Sequence, residues 1–267
     1  MGDARPIGIF DSGVGGLTVA REIYRLLPGE STIYVGDTAR VPYGTKTPEE
    51  LLHYAQEIIR FLLNKNVKAI VIACGTSSAV TYSTLREEFA DLPLVDVIRP
   101  GVDECAKLVD TNPNTRLGII ATAATIKSGL FSQLLTERCP DMTLYARACP
   151  LFASMVEAGL PTNHPAMRFA TETYLSDLRG KIDALVLGCT HYPLLTDALG
   201  TALGDIQFVN IGEATARATQ EKLTQLNLLS DNDTPAAHTF YVTGPDDVFR
   251  TTGSLILGEV CKPEKFF

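Results

Sequence analysis

The chain of 267 residues holds no Cys-x-x-Cys pair: its six cysteines stand at 74, 105, 139, 149, 189 and 261, and even the nearest two, Cys139 and Cys149, are too far apart for a redox or zinc motif. No apolar run approaches the roughly 18 residues needed to span a bilayer. The opening segment Met1-Gly2-Asp3-Ala4-Arg5-Pro6 lacks an apolar leader core, and Pro6 stands where a myristoylation signal places Ser or Thr. A cytoplasmic protein with reduced thiols is therefore expected. Basic charge is also short: 23 Lys and Arg against 31 Asp and Glu leave a net charge of −8. That balance disfavours a nucleic-acid backbone or an anionic membrane surface as the main partner and favours a small molecule. The dinucleotide fingerprint G-x-G-x-x-G is missing as well, because in Gly13-Val14-Gly15-Gly16-Leu17-Thr18 a threonine takes the last glycine position. No lysine adjoins the cysteine-bearing motifs, so nothing suggests a pyridoxal phosphate Schiff base.

What is present is a regular alternation. Short β-branched apolar runs, near 6–10, 32–36, 68–73, 94–97, 116–121, 143–147, 183–188, 206–210 and 239–243, alternate with amphipathic stretches, the pattern of βα units on mostly parallel sheets. With 45 % hydrophobic residues, the chain can bury the core of one large domain or two modest ones. Its clearest helix starts at Thr47-Pro48-Glu49-Glu50, with Thr47 as N-cap, Pro48 at N1 and Glu50 closing a capping box. Leu51, Leu52, Ala55, Ile58, Ile59, Leu62 and Leu63 give that helix its apolar face.

Two strands look like copies. Ala69-Ile70-Val71-Ile72-Ala73-Cys74 matches Ala184-Leu185-Val186-Leu187-Gly188-Cys189 in residue type at every step, and Ile7-Gly8-Ile9-Phe10-Asp11-Ser12 matches Leu117-Gly118-Ile119-Ile120-Ala121-Thr122. The copies are separated by nearly the same length of chain, which predicts two related halves, each presenting one thiol. Parallel strands gather ligands at their carboxyl ends, where both cysteines stand. Halves packed about a pseudo-two-fold axis would set the thiols on either side of one bound carbon.

A free thiol titrates near about 8.5, so only about 3 % is thiolate at neutral pH. Two matched thiols divide the labour: one, as thiolate, removes a proton while the other delivers one from the opposite face. Each such group is worth roughly 10²- to 10⁴-fold. Gly75-Thr76-Ser77-Ser78 and Thr190-His191-Tyr192-Pro193 supply hydroxyls and amides beside the two cysteines, and His191 is placed to polarise Cys189. A lone cysteine at a strand end is more often a small packed hydrophobe; the duplication singles out Cys74 and Cys189, whereas Cys105, Cys139, Cys149 and Cys261 read as packing residues. Cys74, Cys189 and His191 would make only an unusual zinc site, so neither metal nor organic cofactor is expected.

At Asp11-Ser12-Gly13-Val14-Gly15-Gly16-Leu17, at Gly36-Asp37-Thr38-Ala39-Arg40-Val41-Pro42-Tyr43-Gly44 and at Gly188-Cys189-Thr190-His191-Tyr192-Pro193-Leu194 the sequence resembles the glutamate racemases, a likeness continuing through Pro150-Leu151-Phe152 and Val156-Glu157-Ala158-Gly159. The resemblance implies an α/β fold of two pseudo-symmetric domains, residues 1–97 plus 208–267 and residues 98–207, each a mostly parallel sheet flanked by helices, with the active site in the cleft between them. It implies cofactor-independent interconversion of L- and D-glutamate for peptidoglycan synthesis, with Cys74 and Cys189 as acid and base. Asp11, Ser12, Tyr43, Gly44, Gly75, Thr76, Thr190 and His191 are the implied substrate contacts, Asp11 and His191 also poising the thiols, with Asp37 and Glu157 as further acidic neighbours. A homodimer is compatible with the same likeness.

One position departs from the pattern. After the first cysteine these enzymes usually carry Asn-Thr-Ala, whereas this chain has Gly75-Thr76-Ser77, which removes a side-chain hydrogen bond of about 0.5 to 1.5 kcal/mol. An aspartate racemase of the same superfamily and a non-catalytic amino-acid-binding relative are the competing readings.

Overall fold

The computed structural model describes residues 2–231 and 236–266. Its strands are β1 Ile7–Asp11, β2 Thr32–Gly36, β3 Ala69–Ile72, β4 Leu94–Asp96, β5 Arg116–Ala121, β6 Thr143–Ala148, β7 Ala184–Leu187, β8 Gln207–Val209, β9 His238–Val242 and β10 Glu264–Lys265. The helices are α1 Leu17–Leu26, α2 Pro48–Asn64, α3 Gly75–Glu88, α4 Ile98–Thr111, α5 Ala123–Ser128, α6 Leu130–Arg138, α7 Pro150–Glu157, α8 Pro165–Leu175, α9 Thr196–Leu203, α10 Ile211–Gln225 and α11 Asp247–Leu257. Two sheets result, ordered β10-β9-β2-β1-β3-β4 and β6-β5-β7-β8.

The order β2-β1-β3-β4 recurs as β6-β5-β7-β8, so the duplication read in the sequence is a duplication of topology. Register repeats with it: Ile7 lies opposite Ala69, Gly8 opposite Ile70 and Ile9 opposite Val71, while Leu117 lies opposite Ala184, Gly118 opposite Leu185 and Ile119 opposite Val186. Both central pairs are parallel. Residues of β1, β3 and β7 are buried throughout, as strands covered by helices on both faces must be. The nine strands expected from the alternation are all present within a residue or two; the two-residue β10 is an addition, too short to leave a periodic signal.

Helix α2 begins with the expected capping box, Thr47 accepting from the Glu50 amide and Glu50 from the Thr47 amide. Its buried stripe is narrower than expected, because Leu52 is only half-buried and Leu63 is 38 % exposed. One apolar cluster runs from Ile9 and Val71 of the first sheet through Val102 and Cys105 of α4 and Ala216 of α10 to Ile119 and Val186 of the second. The sheets therefore share a core along one flank. Separate clusters back their other faces, around Phe10, Ile58 and Ile72 and around Phe152, Leu187 and Tyr192. Cys105, Cys139 and Cys261 belong to the shared core and Cys149 to the second sheet's cluster.

The expected return crossing near Phe208 falls inside β8, where Phe208 lies opposite Leu185; the chain leaves the second sheet only after Val209. Among the described residues no helix is long and apolar enough to cross a membrane.

Candidate active site

The carboxyl ends of β1, β3 and β7 converge, and the turns leaving them carry the chemistry. Cys74 is the N-cap residue of α3, where the nearby Ser77 and Thr76 amides favour a thiolate. Burial opposes it more strongly, the Asp11 carboxyl adds to the opposition, and the Cys74 thiol is pushed well above its ordinary pKa. Cys74 is thus held protonated.

Cys189 has different neighbours. Its Sγ lies 3.6 Å from His191 Nδ1, and His191 Nε2 lies 2.6 Å from Glu157 Oε1. The same carboxylate oxygen accepts from the Val14 amide at 3.0 Å, which ties α7 to the turn after β1. Burial by itself would lower the imidazole, but hydrogen bonds to Cys189 and Glu157 outweigh it and hold His191 well above the usual histidine range. Glu157 is pushed up by burial and pulled down more strongly by His191 and the Val14 amide, so it rests below the ordinary carboxylate value. The pair is an imidazolium bonded to a carboxylate, with the other ring nitrogen facing the Cys189 sulfur.

Asp11 is fully buried. It accepts from the Gly16 amide at 2.9 Å, the Gly13 amide at 3.2 Å and the Thr190 hydroxyl at 3.3 Å; burial nevertheless raises its pKa, with His191 and the two amides pulling the other way. Asp37 is also fully buried and accepts from the Tyr43 and Thr243 hydroxyls, each at 2.6 Å. Its carboxylate thereby fixes the Tyr43 ring beside the Cys74 turn. The Thr76 and Thr122 hydroxyls meet at 2.9 Å, and Thr125 closes a triangle with them at 3.0 and 3.3 Å.

These groups enclose one cavity, bordered by both Cys74 and Cys189 together with Ser12, Val41, Pro42, Tyr43, Gly44, Gly75, Thr76, Thr122, Ala153, Thr190 and His191. The free space is ≈ 10 Å³ for the centre of a water-sized sphere, about what a single water needs. Roomier clefts of ≈ 630 Å³ beside Lys68 and Pro93 and ≈ 260 Å³ between α8 and α9 hold no thiol. Among the described residues no cluster of three His, Cys, Asp or Glu is placed to hold a metal.

Residues 7–219 match the family model described as Asp/Glu/Hydantoin racemase. The chain belongs to that racemase family. Among relatives, a glutamate racemase of Geobacter metallireducens is 42 % identical over 256 residues, covering 95 % of this chain and 93 % of its own length. The crystal structure of glutamate racemase from Francisella tularensis in complex with D-glutamate matches with a TM-score of 0.87 at 36 % identity, covering 98 % of this chain and 96 % of that one. A glutamate racemase isoform from Bacillus anthracis matches with a TM-score of 0.89 at 35 % identity, over 98 % and 97 % of the two chains.

In this member of the racemase family, Ser12, Tyr43, Gly44, Gly75, Thr76, Thr190 and His191 all border the cavity with the two cysteines. Asp11 does not border it and stands behind the wall, holding the turn. Glu157 reaches the site through His191 and Asp37 through Tyr43. Thr122, Val41, Pro42 and Ala153 were not anticipated. A signal for Thr122 existed, since the repeat that aligns Ile7 to Ser12 with Leu117 to Thr122 pairs it with Ser12.

Proposed function

We propose that this protein interconverts L- and D-glutamate by two proton transfers at the α-carbon, with Cys74 and Cys189 as the acid and base. One observation carries the reading: two cysteines at equivalent strand ends of two like-ordered sheets border a single cavity. In this reading the protonated Cys74 is the donor and Cys189, reacting as the thiolate beside the His191 imidazolium, is the base that takes the α-hydrogen. As Cα–H breaks, an S–H bond forms on Cys189 and the electron pair stays on Cα; Cys74 then protonates the other face and becomes the thiolate, ready for the reverse reaction. The developing carbanion needs nearby donors, and the Ser12, Thr76, Thr122 and Thr190 hydroxyls supply them.

The cavity is smaller than an amino acid, so substrate entry requires the lobes to part and then close, which expels water and brings both sulfurs to the carbon. We place the lobe boundaries at 1–97 plus 210–267 and at 98–209, with the return crossing moved to the end of β8. The product D-glutamate fits a role in supplying bacterial peptidoglycan. Glutamate is preferred to aspartate because the full-length relatives at this level of identity are glutamate racemases, and a site fitted to one discriminates against one methylene less by about 1 to 3 kcal/mol. A cytoplasmic setting and a homodimer complete the proposal, the latter to be read by sedimentation.

The test is purified protein with L-glutamate in D₂O without added cofactor, following optical activity and α-proton loss together. Both signals should decay, and Cys74→Ser or Cys189→Ser should each lower racemisation by roughly 10²- to 10⁴-fold. Enantiopure glutamate that keeps its rotation, or full activity in either variant, sinks the reading.

A further inference from the structure

We infer that Gly75 is a positioning residue of the racemisation proposed above: its missing side chain lets the chain just after one thiol touch the chain just before the other, and this contact sets the gap between the two sulfurs. A Cβ on Gly75 would lie 2.5 Å from the carbonyl oxygen of Gly188, 3.5 Å from its carbonyl carbon and 3.9 Å from Cα of Cys189. The obstacle is backbone, which cannot rotate aside as a side chain does. At Gly44, by contrast, an added Cβ would meet the side chain of Thr122, at 2.9 Å.

Neither partner can retreat within its own lobe. The Gly188 amide donates to the Ile120 carbonyl at 2.9 Å, and Gly188 is packed closely on the second sheet, since a Cβ there would lie 3.0 Å from that carbonyl oxygen and 3.2 Å from Cβ of Ala121. On the other side, the Ser78 amide donates to the Cys74 carbonyl at 2.8 Å and the Ser78 hydroxyl to the Ile72 carbonyl at 3.0 Å, which fixes the start of α3. A methyl at position 75 must therefore push the lobes apart as bodies. Cys189 moves with Gly188, and the 2.9 Å bond between Thr76 and Thr122 stretches beside it. Glycine is the residue that permits such close backbone approach.

The consequence is specific to inversion. After the α-proton has moved to one sulfur, its return to the same face restores the starting enantiomer, whereas inversion needs the second sulfur within reach of the opposite face. Widening the gap slows the crossing more than the return. The position that departs from the Asn-Thr-Ala pattern is thus a contact between lobes as well as a lost side chain.

Gly75→Ala and Gly75→Asn, both carrying the offending Cβ, would be assayed with each glutamate enantiomer in D₂O, scoring deuterium gained with retention against inversion by NMR and polarimetry. In both variants inversion should slow by about 10- to 100-fold, the range expected for ångström-scale misplacement, and the ratio of retained-and-deuterated to inverted glutamate should rise. Thermal melts identify folded variants, and one folded variant suffices. A wild-type ratio in either, with kcat unchanged or merely lowered, overturns the inference, as does faster turnover in Gly75→Asn, which would mean that the site lacks a hydrogen bond and has no need of closeness. A wild-type protein that leaves glutamate unchanged defeats the racemase reading itself; an active wild type with unaltered variants defeats only the role of Gly75.

Discussion

His191 and Glu157 are joined by a 2.6 Å hydrogen bond between Nε2 and Oε1, which together with the contact to Cys189 holds the imidazole above its ordinary pKa. His191 is 2 % exposed and Glu157 13 %, so water screens the pair little. Removing the carboxylate charge by Glu157→Gln should lower the His191 midpoint, read by NMR titration of the imidazole, and move the alkaline limb of kcat to lower pH. The hydrogen bond to a charged group is worth about 1.5 to 3 kcal/mol of stability.

Its pH dependence follows from the directions of the two shifts. His191 titrates above its unfolded value, so its contribution to stability is complete below about pH 6.5 and lost as pH rises through the raised midpoint. Glu157 titrates below its unfolded value, so its contribution is complete above about pH 4.3 and lost as pH falls through the lowered midpoint. Urea midpoints from about pH 2 to pH 10 should therefore fall at both ends, and Glu157→Gln should flatten both limbs. Unchanged limbs in the variant would contradict the assignment.

Asp11 raises Cys74 through its charge, second only to burial. Asp11→Asn keeps an oxygen for the Gly13 and Gly16 amides and deletes that charge. In a Cys189→Ser background, the alkylation rate of Cys74 plotted against pH should shift to lower pH on this change. A shift the other way would show that Asp11 acts mainly through the turn it holds.

Thr122 was found only in the folded structure and joins Thr76 across the cleft at 2.9 Å. Thr122→Val keeps the volume and removes the hydroxyl. A lost hydrogen bond of about 0.5 to 1.5 kcal/mol predicts a glutamate KM raised by about 2- to 10-fold, measured by steady-state polarimetry.

Far from the cleft, Lys68 and Glu30 form a buried ion pair at 2.5 Å, 0 % and 3 % exposed. The Lys68 ammonium also donates to the Asp3 carbonyl at 2.6 Å, and the Ser230 amide donates to Glu30 at 2.7 Å, so the pair pins two chain segments at the strands' amino ends. Lys68→Met alone leaves a buried carboxylate uncompensated and should cost about 3 to 5 kcal/mol in urea unfolding. Adding Glu30→Gln should recover much of that loss.

Much of the fold was legible because strand periodicity and repeated residue types are local properties. The match of Ala69 to Cys74 with Ala184 to Cys189 foretold equivalent strands, and the capping box at Thr47 and Glu50 foretold where α2 begins. Leu63 misled because helical spacing reports a face without reporting how wide a stripe the neighbours cover. Phe208 falls inside β8, and a three-residue strand carries no sign of which sheet it joins.

The sequence by itself determined the two βα halves, the two thiols at strand ends and the polar turns after them, since each is written in adjacent residues. Only the tertiary structure decided that Asp11 stands behind the cavity wall, that Glu157 bonds His191, that Thr122 meets Thr76, and that Gly75 lies close to the Gly188 carbonyl. Those relations join residues remote in the chain, and they depend on how the two sheets pack against each other, which no local pattern encodes.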